Sequence, residues 1–358
     1  MRAIGELTGI QYLRGIAATM VLFFHLQVQL DRLGYAGGWP SGLLGGIDIF
    51  YIVSGFIMWS TTIGRPGDGP AAFWRRRIVR IVPLYWIVTL FVVTTMLAAP
   101  AVMQSSRFDP AHVVASFLFV GYPHPVTGTI EPVVIPGWTL NHEMFFYLIF
   151  GLFLPAPPRI RLFGTVAALA GLVFLGRLMA WPSTGIAGFY TSGMLIEFAI
   201  GVLLGALASQ GTGLTRVGLA WGWTMLLAGL AGMTLLPGWE ALPGVLQRGV
   251  PAALLVTGLL VIEAHRGLFR FAFLRRLGDA SYSIYLSHMI TLSASSQVWR
   301  AMGWRCDAAG LCLYVGFAAL LAIAAGWLLY LVVERPLDRR LRGAGAMRAQ
   351  IIRTGAAA

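Results

Sequence analysis

Lysine is missing from this sequence altogether, so all 26 basic residues are arginine. A single arginine therefore says little by itself, because the whole chain is built this way. Charge of either sign is scarce. Asp, Glu, Lys and Arg make up 11% of 358 residues, against about a quarter in a soluble domain. That is too little to clothe a water-facing surface, which excludes an ordinary soluble globular protein. Cysteine is limited to Cys306 and Cys312, six residues apart. Two thiols give neither a disulfide framework nor a metal motif, and no metal is expected. No internal repeat is visible, and no attached soluble domain is expected.

What is present is apolar. Hydrophobic residues make up 58% of the chain and the mean hydropathy is +0.76. Glycine is abundant, at 44, which suits helices packed closely in lipid. The net charge of +12 invites a nucleic-acid reading. The arginines, however, sit mostly in short connections between apolar runs, where membrane topology accounts for them. No nucleic-acid partner is expected.

A bilayer-spanning helix needs roughly 20 mostly apolar residues. Ten segments qualify, at about 10–28, 44–63, 81–99, 138–154, 162–180, 191–208, 217–236, 250–264, 278–296 and 310–333. The eighth is short. The expected fold is an all-α bundle of about ten membrane helices over residues 1–340, followed by a short basic tail at 341–358. With the N-terminus inside, nineteen arginines fall in cytoplasmic segments and five in outer loops: Arg32, Arg107, Arg248, Arg300 and Arg305. This bias puts both termini in the cytoplasm. Ala111–Tyr122 is apolar but too short to cross, and spanning would put the later arginines on the wrong side. Residues 10–28 have no clear cleavage site and carry Arg14 and His25, so they read as a retained first helix rather than a leader. The outer loop at about 100–137 is rich in proline and long enough to suggest a role of its own.

Ionisable groups inside membrane segments are costly and usually mark a function. Arg14 and His25 are eleven residues apart, which places them on one helix face about 16 Å apart along the axis. Arg14 is then near the cytoplasm and His25 in the outer half. Asp48 enters the second span at about the depth of His25, where a helix N-terminus would also favour a carboxylate. Arg77 and Arg80 share a face three residues apart; they can grip a phosphate or bind lipid headgroups. Glu143 opens the fourth span beside His142, and Glu197 sits in the sixth without a motif. Ser281, Tyr285 and His288 fall at i, i+4 and i+7 and line one face, as a substrate path or as interhelical hydrogen bonds. Together these residues describe a polar path across a bundle, as a transporter or a membrane enzyme would need.

Six stretches carry a resemblance: "LRGIAATMVLFFH", "GGIDIFYIVSGF", "RRIVRIVPLYW", "WTLNHEMFFYL", "SYSIYLSH" and the late "VERPL". In this order they resemble the acyltransferase family 3 membrane proteins, which include polysaccharide O-acetyltransferases. "WTLNHEMFFYL" departs from the commoner form with two adjacent acidic residues. Only Glu143 is present, followed by Met144, and this version is similar to exopolysaccharide-modifying members such as succinoglycan acetyltransferases. Many relatives carry a fused periplasmic hydrolase-like domain; none is visible here, which implies the stand-alone form.

The resemblance implies an acyltransferase of the bacterial inner membrane. It would move an acyl group, most often acetyl from acetyl-CoA, to a hydroxyl of an extracytoplasmic or lipid-linked glycan. His25 would be the general base, suited by an imidazole's titration near neutral pH. Asp48 or Glu143 would orient it. Arg77 and Arg80 would hold CoA phosphates, and Arg14 the pantetheine arm. The other class left open is a transporter of a glycan, lipid or small acid using the same polar path. The sugar, the acyl chain and the oligomeric state are not legible.

Overall fold

A backbone surrounded by lipid must satisfy its own hydrogen bonds, so apolar runs of this length wind into helices. The computed structural model describes residues 7–63, 69–103, 107–239 and 242–341. The expected basic tail lies outside the described residues from position 342 onward. The helices in chain order are α1 Thr8–Arg32, α2 Gly45–Ile63, α3 Pro70–Ala98, α4 Pro110–Phe117, α5 Trp138–Leu152, α6 Pro158–Leu178 and α7 Ile186–Tyr190. They continue with α8 Met194–Ala208, α9 Leu219–Leu235, α10 Val250–Arg266, α11 Ala272–Asp279, α12 Ser281–Ala301 and α13 Ala308–Leu329. Among the described residues the only β feature is an isolated bridge between Pro123 and Ile130. The fold is all-α.

Among the described residues seven helical segments are long and apolar enough to cross a membrane: α1, α2 with the turn before it, α3, α6, α7 with α8, α10 with the turn before it, and α13 with its extension to Leu341. The other three expected segments are helical but differ in kind. α9 is apolar and 17 residues long. α5 has 15 residues. α12 has 21, but serines, a histidine and two tyrosines lower its hydropathy. A helix held inside a bundle needs no lipid-facing stripe, and α12 buries Ser281, Ser283, Tyr285, His288, Ser295 and Ser296. α4, with eight residues, spans only about 12 Å, so the Ala111–Tyr122 stretch does not cross.

Large apolar side chains stand exposed on the outer helices, among them Leu90 and Phe91 of α3, Phe163 and Phe174 of α6, Leu227 of α9 and Leu320 of α13. Patches of this extent on a folded chain face lipid. α1 lies inside, between the buried clusters. Its Ile10, Leu13 and Ala17 pack toward α2 and α10, while Ala18, Leu22, Leu26 and Leu30 pack toward α12 and α13. In lipid, apolar burial contributes little between helices, so close backbone approach must do more. The α2–α8 contact is of this kind. A Cβ on Gly201 would strike the carbonyl of Ile52, and one on Gly55 the carbonyl of Phe198.

Candidate active site

The crossing of α1, α2, α3, α5 and α12 leaves a cavity of about 840 Å³. That is at the upper end of ordinary small-molecule sites. Five arginines line it: Arg14 from α1, and Arg75, Arg76, Arg77 and Arg80 from the first turns of α3. Apolar walls come from Ile47, Phe50, Val53, Ile57 and Met58 of α2. Ser54, Thr139, Glu143, Tyr147, Ser281 and Tyr285 add polar groups.

The helix period explains the arginine side of this wall. Arg77 and Arg80 lie three apart and so share a face, as the sequence indicates. Their partners differ. Arg77 donates from Nη2 to the Thr61 hydroxyl at 3.2 Å and stands over the rings of Phe73 and Tyr147, 5.5 and 5.9 Å from their centroids. Arg80 is ion-paired with Glu334 at 2.8 Å and lies 5.9 Å from the Tyr282 ring centre. Glu334 in turn accepts from Ser283 Oγ at 2.5 Å. Glu334 belongs to the "VERPL" stretch, and its pairing across 254 positions was not legible in the sequence.

Glu143 occupies the same cavity. One oxygen of its carboxylate accepts from Ser54 Oγ at 2.8 Å and from the Tyr147 hydroxyl one turn along α5. Tyr285 OH meets Thr139 Oγ1 at 2.8 Å and donates to the Pro136 carbonyl at 3.2 Å, which ties α12 to the start of α5. The Ser281 and Tyr51 hydroxyls line the cavity and are buried without a hydrogen-bond partner among the described residues. Each is a group a bound molecule could satisfy.

His25 does not line this cavity. It sits half-buried on α1, three turns from Arg14, and its partner is His288 of α12. His288 Nδ1 is 2.6 Å from the Tyr285 carbonyl, so that nitrogen carries the proton and Nε2 accepts. His25 Nδ1 is 2.9 Å from the Val21 carbonyl and 3.2 Å from His288 Nε2. Its single Nδ1 hydrogen is shared between the two, which leaves His25 Nε2 bare, with no partner among the described residues. These tautomers are assigned from the partners. An imidazole held in this way can take up a proton at Nε2. Tyr285 links the two places: it lines the cavity, and its ring centre is 5.8 Å from that of His288.

Neither carboxylate expected to orient His25 is hydrogen-bonded to it. Asp48, in the first turn of α2, takes Arg248 as its partner at 3.5 Å and lies against Glu197 of α8. The three form a cluster away from the cavity, with Asp48 and Glu197 4% and 1% exposed. Glu197 has no motif to announce it; its charge within an apolar span is what points to it. His142 is also structural: its Nε2 meets the Phe189 carbonyl at 2.8 Å and the Ser192 hydroxyl at 3.2 Å.

The family described as Acyltransferase domain, acyltransferase family 3, matches residues 7–331. The exopolysaccharide production protein ExoZ of Rhizobium meliloti is 36% identical over 299 residues, which is 83% of this chain and 90% of that protein. The acyltransferase MdmB of Streptomyces mycarofaciens is 29% identical over 326 residues, 82% of this chain and 81% of its own length. The peptidoglycan O-acetyltransferase OatA of Listeria monocytogenes is 25% identical over 163 residues, 40% of this chain and 23% of that protein. No solved structure matches.

Proposed function

Because the chain belongs to acyltransferase family 3, and is on that ground a membrane acyltransferase, we propose that it takes an acyl group, acetyl first among the candidates, from cytoplasmic acyl-CoA. The acceptor is a hydroxyl of an extracytoplasmic or lipid-linked glycan. The protein resides in the bacterial inner membrane with both termini inside. The names of ExoZ, an exopolysaccharide production protein, and of OatA, a peptidoglycan O-acetyltransferase, favour a glycan acceptor.

The observation that carries the reading lies along α1. Arg14 faces an arginine-lined cavity, and three turns on, His25 presents a bare Nε2. The cationic end of the cavity suits the phosphates of CoA, with Arg14, Arg75, Arg76 and Arg77 as their contacts. Arg80 contributes the donors that Glu334 leaves unused. The apolar α2 wall suits the uncharged arm. The acceptor hydroxyl gives its proton to His25 Nε2 as its oxygen attacks the thioester carbonyl. The carbon–sulfur bond breaks, and the thiolate leaves and is protonated, so the products are a glycan ester and free CoA thiol. His288 Nε2 accepts from His25 Nδ1–H and so supports the imidazolium as it forms. General-base catalysis of this kind contributes about 10²–10⁴ in rate. Glu143 and Ser281 line the approach, and Asp48 positions α2.

Purified protein in lipid nanodiscs, given radiolabelled acetyl-CoA and candidate glycans, should place label in an alkali-labile ester on the glycan. Solute crossing vesicles with no acyl donor bound would instead make the protein a transporter.

A further inference from the structure

Beside the main cavity lies a second one of about 330 Å³, and Arg14 and Arg80 line both. Its other walls are Gln11, Asp279, Tyr330, Arg335, Asp338 and Arg339. It differs from the first in lining. Four guanidiniums face two carboxylates, and the single large ring is Tyr330. The position is fixed from two sides. α11 meets α1 backbone to backbone, since a Cβ on Gly278 would strike the Gln11 carbonyl and one on Gly15 would crowd the Gly278 amide. On the opposite side the helix continuing α13 presents Arg335 and Arg339, four residues apart and therefore on one face. Both are exposed, and neither has an ion pair among the described residues.

Resting on the acyl-CoA reading above, we propose that this annex is the subsite for a terminal phosphate monoester, the 3′-phosphate on the donor's ribose, and that Arg335 and Arg339 hold it. A molecule with a central diphosphate, an uncharged arm at one end and a phosphate monoester at the other calls for three environments in sequence. The apolar α2 wall, the arginines shared at the junction and the annex provide them in that order. The annex has a net cationic lining and little apolar surface, which suits a dianionic monoester held through charge-assisted bonds better than an acyl chain. Arg80 stays at the junction because Glu334 fixes it there. A phosphorylated lipid headgroup offers the same chemistry, so the test separates the two.

Wild-type protein in nanodiscs of neutral phosphatidylcholine is assayed with acetyl-CoA and with acetyl-3′-dephospho-CoA. The expected KM is about tenfold higher for the dephospho donor, on the scale of one charge-assisted hydrogen bond. In R335Q/R339Q that ratio collapses to about one. Binding of adenosine 3′,5′-bisphosphate against adenosine 5′-monophosphate by titration calorimetry gives a readout without turnover, and the preference for the bisphosphate should vanish in the same variant. If no thioester is a donor but the bisphosphate preference depends on these arginines, the annex stands and the donor reading falls. The proposal is overturned if wild type treats both donors and both nucleotides alike. It is also overturned if the variant raises both KM values equally, or if the preference appears only with anionic lipid in the disc.

Discussion

In the cavity, Glu143 is met by two hydroxyls and five guanidiniums share the wall; at the first turn of α2, Asp48 is met by Glu197 and one guanidinium, Arg248. Both clusters use the same residue types inside apolar helices. The first opens on a cavity lined by five arginines and keeps hydroxyls without partners among the described residues. The second lines neither cavity and sets two buried, touching carboxyl groups against one arginine, whose side chain is 21% exposed. Arginines and orphaned hydroxyls at a cavity are what a bound anion satisfies. Carboxyl groups buried against an arginine hold helices together, here α2, α8 and the turn before α10. An ionisable residue in a membrane helix therefore has two fates, and its neighbours decide between them.

The largest effect that would break this comparison is on stability. R248M leaves two buried carboxyls without their cation and should cost about 3–5 kcal/mol, read as a fall in the thermal unfolding midpoint in detergent. Adding D48N should recover part of it. The exposed cavity arginine changed in R75Q should leave that midpoint within about 0.5 kcal/mol while raising the KM for acyl-CoA. Equal destabilisation by both would erase the distinction. Next, E143Q should lower kcat about 10–100-fold with a stability change near 1 kcal/mol, because Ser54 and Tyr147 can still donate to the amide oxygen. A fall in folded yield with intact turnover per molecule would move Glu143 to the class of Asp48. G201A forces α8 away from the Ile52 carbonyl and should cost about 1–3 kcal/mol, as overpacking does. An unchanged midpoint would remove close approach as what joins these helices.

The smallest effect lies in the loop between α4 and α5. His124 accepts from the amides of Val126 and Thr127 and stands edge-on to His112, which meets the Glu131 carbonyl at 2.8 Å. Partial burial, and then the neighbouring His112, hold the His124 imidazole below its usual pKa of 6.5. The fold thus favours the neutral ring. Its contribution is complete above about pH 6.5 and is lost as pH falls below that value. The unfolding midpoint should drop slightly more steeply below pH 6.5 in wild type than in H124N. Identical slopes would leave this loop without a pH response.

Much of the site was legible because depth and helical face are local properties. The eleven-residue spacing put Arg14 and His25 on one face, and the structure has both on a single helix with Arg14 in the cavity. The i, i+4 and i+7 pattern put Ser281, Tyr285 and His288 together; Ser281 and Tyr285 line the cavity and His288 meets His25. Neighbours across helices were not legible. Asp48, expected at the depth of His25, faces α8 and Arg248, and nothing in "GGIDIFYIVSGF" specifies which helix lies opposite. The pairing of Arg80 with Glu334 is hidden for the same reason. α12 is expected as a span, but its serines and histidine leave it outside the seven segments apolar enough to cross, and those groups are buried.

The most direct test is the steady-state kinetics of His25→Asn in the labelled acetyl-transfer assay. The amide can still donate to the Val21 carbonyl, so the fold is kept, but no group remains to accept the proton at Nε2. A kcat lower by about a hundredfold or more, with the KM for acyl-CoA within about threefold of wild type, is the expected result. A folded variant that retains kcat within about threefold would contradict the assignment of His25 as the base.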